Sequence, residues 1–163
     1  MLGKTYGTQV CSIARSLELV GERWSLLIIR DALFAHVTRF GDFQHNLGIA
    51  TNVLTSRLES FVAAGIMERD GAADYALTPK GRALAVALIA LTEWGDEWAS
   101  PVDPPILYRH VACDSALHAT ATCDQCGTVP ADEVAIRIGS GMPADYLAAR
   151  RGGARAHQER GEA

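Results

Sequence analysis

Positive charge is what this chain has too little of. Fifteen Lys and Arg stand against nineteen Asp and Glu, a formal net charge of −4 with the five His neutral. That balance excludes a protein that holds nucleic acid by bulk charge, so any DNA contact has to come from a local face. Over residues 1–100 nine Lys/Arg meet eleven Asp/Glu, so no basic half hides inside the total. Long apolar runs are missing too. The longest, from Ala83 to about Ala90, falls far short of the roughly 20 residues a membrane-spanning helix needs, and no membrane partner is expected. The opening MLGKTYGTQV has no apolar core of a secretory signal, so the expected location is cytoplasmic. There the four cysteines, Cys11, Cys113, Cys123 and Cys126, start as thiols. No catalytic motif is legible, and the chain does not read as an enzyme.

What is present is periodicity. At 163 residues and 48% hydrophobic the chain can bury a real core. Ile13, Leu17 and Val20 repeat at helical spacing between Ser12 and Gly21, a cap and a stop. A second helix is expected from about Glu22, with Trp24, Leu27, Ile28 and Ala32 on one face and Leu26 and Ile29 widening it. Phe40, Phe43 and Leu47 make a short third helix closed by Gly48. A fourth runs from about Ala50 to Ala64. Ile66–Arg69 and Tyr75–Leu77 then flank a turn-rich tip, and Thr78-Pro79 caps a long closing helix striped by Leu84, Leu88, Leu91, Trp94 and Trp98. This order is that of a winged helix-turn-helix, mainly α with a small β-wing (an α+β fold), and it puts one small helix into the DNA major groove. The expected regulatory domain is 1–100.

The fourth helix is where function is expected. At 100° per residue Leu54, Leu58 and Phe61 gather on the core side, flanked by Val53 and Val62. Asn52, Thr55, Ser56 and Glu59 gather opposite, and the short polar ones suit base edges and phosphates. Thr51 opens this face. Arg57 lies on its flank, suited to a phosphate or to a structural ion pair. At the wing tip Arg69 is the only cation, between Asp70 and Asp74, which repel a phosphate backbone.

These residues resemble the HxlR family of bacterial regulators, relatives of the MarR-type winged helices. The likeness covers residues 8–98 and rests on Cys11, the run Leu19–Trp24, Arg39-Phe40, the run Leu54–Leu58, Gly65, the run Tyr75–Thr78, Gly81 and Trp94. The resemblance implies a homodimer paired through its first and last helices on a palindromic double-stranded operator, a transcriptional regulator and a repressor. It also implies that Cys11 stands where some members carry a thiol sensing oxidants or electrophiles; a small molecule or oxidant is the effector expected. A buried residue in the dimer seam is the plainer role for Cys11. Three positions depart from the family pattern: Ser12 replaces a usual Pro, Ala50 a common capping Ser, and Asn52 a common basic residue.

Beyond a Pro-punctuated linker (Pro101, Pro104, Pro105) lies a second constellation. His110-x-x-Cys113 and Cys123-x-x-Cys126-Gly127 are two ligand pairs with nine residues between them, the spacing of a small structural zinc ribbon. His118 is an alternative ligand. A redox pair at Cys123/Cys126 would need a βαβ unit that this polar, turn-rich stretch lacks. The ribbon-like extension is expected over 101–149, with Val134, Ile136 and Ile138 as a strand, and a flexible Arg- and Gly-rich tail over 150–163. The rival to DNA binding is a winged helix that docks a protein partner, which the acidic balance would suit.

Overall fold

The computed structural model describes residues 5–71, 74–99, 103–143 and 145–146. The expected tail, 150–163, lies outside them. The chain divides into two compact units: the residues through Tyr6 together with Ser12–Ala119, and Gly7–Cys11 together with the residues from Thr120 on. In the first unit the order is α1 Ser12–Val20, α2 Ser25–Phe34, α3 Phe40–Leu47, α4 Thr51–Ala63, β1 Met67–Asp70, β2 Asp74–Leu77, α5 Pro79–Arg82 and α6 Ala85–Trp98. The second holds β3 Thr122–Cys123, β4 Gly127–Thr128 and a 3₁₀ turn at Ala131–Glu133. No helix among the described residues is long and apolar enough to cross a membrane.

One core holds the first unit together. Ile28 and Ile29 of α2, Phe43 of α3, and Leu54, Leu58 and Phe61 of α4 are essentially without solvent contact, and Ile66, Met67, Tyr75 and Leu77 close the cluster from the wing. Side chains of this size contribute about 1.5–3 kcal/mol each when buried. The turns between elements reflect residue type. Gly48 ends α3 in the left-handed region at φ 60, which glycine enters without strain. Thr78 accepts the Gly81 N–H at 3.2 Å and donates to the Gly65 carbonyl at 2.7 Å, so it caps α5 and ties the wing to the end of α4. β1 and β2 pair antiparallel, Met67 opposite Leu77 and Asp70 opposite Asp74.

Three expectations are corrected by the structure. The second helix starts at Ser25 rather than near Glu22, because Glu22–Ser25 forms a tight turn closed by Ser25 N–H to the Glu22 carbonyl at 2.9 Å. The closing helix is two pieces, parted at Ala83–Leu84, where Leu84 N–H bonds the Gly81 carbonyl three residues back. Val134–Ile138 is not a strand among the described residues: its alternation has no neighbouring strand to pair with, and Val134, Ile136 and Ile138 are all exposed.

Segment 103–119 belongs with the winged helix. The Tyr108 ring packs on Phe34 with centroids 4.6 Å apart, and its hydroxyl lies 3.4 Å from Thr92 Oγ1. Glu93 of α6 takes the Ala119 N–H at 3.0 Å and pairs with His118 Nδ1 at 2.7 Å. Those bonds, the Ala119 N–H first and His118 second, hold the Glu93 carboxyl below the ordinary glutamate value.

Two outcomes are expected. A Cβ at Gly81 would meet the Ile66 carbonyl oxygen, so Gly81→Ala lowers stability by about 1–3 kcal/mol in denaturant unfolding. Gly41→Ala, with nothing within 4 Å of its Cβ, is neutral or gains about 0.5–1 kcal/mol. Equal effects at the two sites would refute the close approach. Second, a carboxylate with a depressed folded pKa stabilises above its unfolded pKa and loses that contribution as pH falls through the folded one. NMR titration therefore finds Glu93 protonating at lower pH than an ordinary glutamate, with the Ala119 amide shift tracking the same midpoint. An ordinary or raised midpoint would show that the clasp does not form.

Candidate nucleic-acid interface

The candidate site is α4 and its surroundings. Ala50 precedes the helix in extended backbone and supplies no side-chain cap. Gln44 of α3 instead braces the start of the helix from outside, donating from Nε2 to Thr51 Oγ1 at 2.7 Å. With Leu54, Leu58 and Phe61 locked in the core, the opposite face must point outward. Asn52, Ser56 and Glu59 are exposed there and Thr55 is half-buried. The Thr55 hydroxyl donates to the Thr51 carbonyl at 2.9 Å, leaving its lone pairs as acceptors. This face presents amide, hydroxyl and carboxylate groups with no bulky side chain.

The cations lie elsewhere than on the outermost face. Arg57 is turned inward, its side chain 15% exposed, with Nη1 3.8 Å from Glu22 Oε1 and Nη2 3.5 Å from Ser56 Oγ. On the wing, Arg69 lies over the Tyr75 ring at 5.1 Å. Arg39 lies 3.8 Å from Asp74 and pairs with it through a β-bridge, which anchors the wing to the turn before α3. A cleft of about 260 Å³ opens beside α4, lined by Glu22, Arg23, Trp24, Asn52, Val53, Ser56 and Arg57. Gln44, Glu22 and Arg23 are site neighbours that sequence reasoning passes over. Their partners lie in other elements, and only the adjacency of Arg23 to Trp24 left a trace in the chain.

The cysteine-bearing residues form two local turns of matching shape. In the first unit His110 Nδ1 lies 3.2 Å from Cys113 Sγ, His110 N–H bonds the Ser115 carbonyl at 2.8 Å, and Asp114 takes φ 54. The Ser115 hydroxyl, then the His110 ring and the Ser115 N–H, hold the Cys113 thiol below its ordinary value. In the second unit the Gln125 and Cys126 N–H groups, with the Cys126 thiol, do the same for Cys123, and Gly127 takes φ 78. His118 is engaged by Glu93. Among the described residues no three His, Cys, Asp or Glu side chains gather into a metal-holding group. Cys11 is exposed and precedes α1.

A tri-helical core, a fourth helix with a buried apolar stripe and a polar outer face, and a two-stranded wing define the winged-helix DNA-binding transcriptional regulators. Residues 19–103 match the HxlR-like helix-turn-helix family, and the chain belongs to that family. An uncharacterized HTH-type transcriptional regulator of Mycobacterium tuberculosis (strain H37Rv) is 43% identical over 123 residues, 71% of this chain and 77% of the relative. Another from Synechocystis is 33% identical over 96 residues, 55% of this chain and 70% of the relative. Among solved structures, the candidate transcription factor PA1607 is similar with a TM-score of 0.68 at 33% identity, covering 78% of this chain and 94% of that one. The candidate transcription factor PA1374 from Pseudomonas aeruginosa is similar with a TM-score of 0.60 at 34% identity, covering 83% and 97%. Both likenesses run beyond the span of the family model.

One outcome tests the buttress at the start of α4. Gln44→Ala removes the bond from α3 to the Thr51 hydroxyl, so α4 frays at its first turn and stability falls by about 0.5–1.5 kcal/mol, the net value of one hydrogen bond. Amide exchange at residues 52–55 rises with it. Unchanged exchange there would show that Thr51 needs no support from α3.

Proposed function

We propose that this regulator is a homodimeric repressor that lays α4 of each protomer into successive major grooves of a palindromic operator. The observation that carries the reading is the division of α4: Leu54, Leu58 and Phe61 are buried while Asn52 and Ser56 are exposed beside Thr55. Asn52, Thr55 and Ser56 then meet base edges, Thr51 and Arg57 meet the backbone, and Arg69 meets it from the wing. Dimerisation draws on the apolar faces of α1 and α6. Ile13, Leu17 and Leu19 on one and Val86, Leu91, Trp94 and Trp98 on the other are exposed, with Trp94 at 59% and Trp98 at 69%. So much apolar surface on two helices is what an obligate partner covers. A two-fold dimer matches half-sites about one helical turn apart.

Replacing Thr55 and Ser56 together by Glu puts two carboxylates against the phosphates. The double variant is expected to keep its fold and dimer and to lose the DNA duplexes that the wild type selects from a random-sequence pool. Retained affinity in a gel-shift titration would remove α4 from the interface. Cys11 is the proposed sensor: a mild oxidant changes DNA affinity of the wild type and not of Cys11→Ser, and equal responses would leave it without that role.

We infer, second, that His110, Cys113, Cys123 and Cys126 hold one structural zinc. The spacing of the two pairs supports this, as does the shared form of the turns, each with a left-handed residue directly after its second donor. The donor set fits the ion: the Ser115 hydroxyl and the His110 ring at Cys113, and the Gln125 and Cys126 N–H groups at Cys123, favour thiolates, which with imidazole are what zinc takes. Protein purified without chelator should carry about one zinc per chain, and Cys126→Ser should release it. Less than about one ion per five chains, with no uptake of added zinc, would refute it.

A further inference from the structure

An acidic chain that binds DNA has to find its phosphate contacts somewhere, and most cations of the winged helix are already engaged. Arg15 pairs with Glu18, Arg30 with buried Asp31, and Arg39 approaches Asp74. Lys80 donates to the Ala64 carbonyl at 2.7 Å, and Arg82 donates to the Leu77 carbonyl. Among the described cations between residues 5 and 99, Arg23 and Arg69 meet only an aromatic ring. Arg69 sits between Asp70 and the Asp74 strand end, whereas Arg23 lies over Trp24 at 5.4 Å and lines the cleft beside α4.

That cleft has a composition of its own. Two guanidiniums, Arg23 and Arg57, face one carboxylate, Glu22, which leaves one net positive charge. Asn52 and Ser56, from the outer face of α4, add hydrogen-bonding groups to the lining, and Trp24 and Val53 supply the apolar part. At about 260 Å³ it is smaller than the roughly 300–1,000 Å³ of small-molecule sites. Charge, donors and size fit a single phosphodiester. The cleft also adjoins the face of α4 that enters the groove, where the flanking DNA strand must pass.

We propose that this cleft receives one DNA backbone phosphate, held by Arg23 and Arg57, and that Glu22 weakens the grip by competing for Arg57. The inference rests on the reading of α4 as the groove-entering helix. The Glu22–Arg57 separation of 3.8 Å is a loose pair that a phosphate can replace. Arg23 already lines the cleft, over its own neighbour Trp24.

The test compares wild type, Arg23→Gln, Arg23→Lys and Glu22→Gln in binding two duplexes of about 30 base pairs, one of random sequence and one selected by the wild type from a random pool. Fluorescence anisotropy is read between roughly 50 and 200 mM salt, where each phosphate contact contributes a slope of about −0.9 in log affinity against log salt. Arg23→Gln should weaken both duplexes by the same factor and make the slope shallower by about 0.9. Arg23→Lys should restore that slope, and Glu22→Gln should strengthen both duplexes. Circular dichroism checks that each variant is folded. An unchanged slope for Arg23→Gln, with wild-type binding intact, would overturn the phosphate site and leave the reading of α4 standing. Loss confined to the selected duplex would overturn it too, by making Arg23 a base reader. A wild type that selects no duplex from the pool and binds none of random sequence would overturn both.

Discussion

Everything about the polar outer face of α4 depends on one packing constraint, the burial of Leu54, Leu58 and Phe61 against Ile28, Ile29 and Phe43. A helix has one rotational setting in which these three side chains leave water together. Turning α4 by a single residue position, about 100°, would expose at least one of them and cost about 1.5–3 kcal/mol per side chain. The polar face is therefore aimed by the hydrophobic one. Asn52, Thr55 and Ser56 need no contacts of their own to be held outward. Gln44 only supports the first turn of the helix, and Thr78 only ties its far end to the wing.

The wing and the closing helices serve the same constraint from the other side. Thr78 ties the Gly65 and Ile66 carbonyls to the start of α5, and Gly81 admits the Ile66 carbonyl to a distance that no Cβ would allow. The chain thus returns tightly beneath α4, and Leu77 and Leu88 complete the core. The return is followed by the break at Ala83–Leu84. It separates α5, which belongs to the wing, from α6, whose apolar face remains exposed.

The periodic parts of this architecture were legible in the chain. Spacing at 3.6 residues gave α1, α3 and α4 to within a residue or so, because burial on one face writes itself into sequence. Interactions between distant residues left no such trace. Arg57 reads equally as a phosphate contact or an ion pair until Glu22, 35 positions earlier, is found 3.8 Å away. Glu93 is an ordinary helix-surface acid until Ala119 and His118 meet it. The alternation Val134, Ile136, Ile138 misled because alternation marks a strand only where another strand can pair with it. The two cysteine-bearing turns were legible as motifs, while the left-handed Asp114 was not, since Asp rarely announces that conformation.

The engagement of the cations has a consequence for how such a regulator moves over a chromosome. Residence on random DNA is set largely by the number of phosphates a protein can neutralise, and a guanidinium held by Asp or Glu has to give up that pair to count among them. With fewer cations free, such a protein is expected to slide less and to return to bulk solution more often than a basic one. The competing mass of genomic DNA would then sequester a smaller share of its copies than of a regulator rich in free cations. Occupancy of an operator comes to depend on fit to base edges and on the number of molecules present, more than on escape from the surrounding duplex.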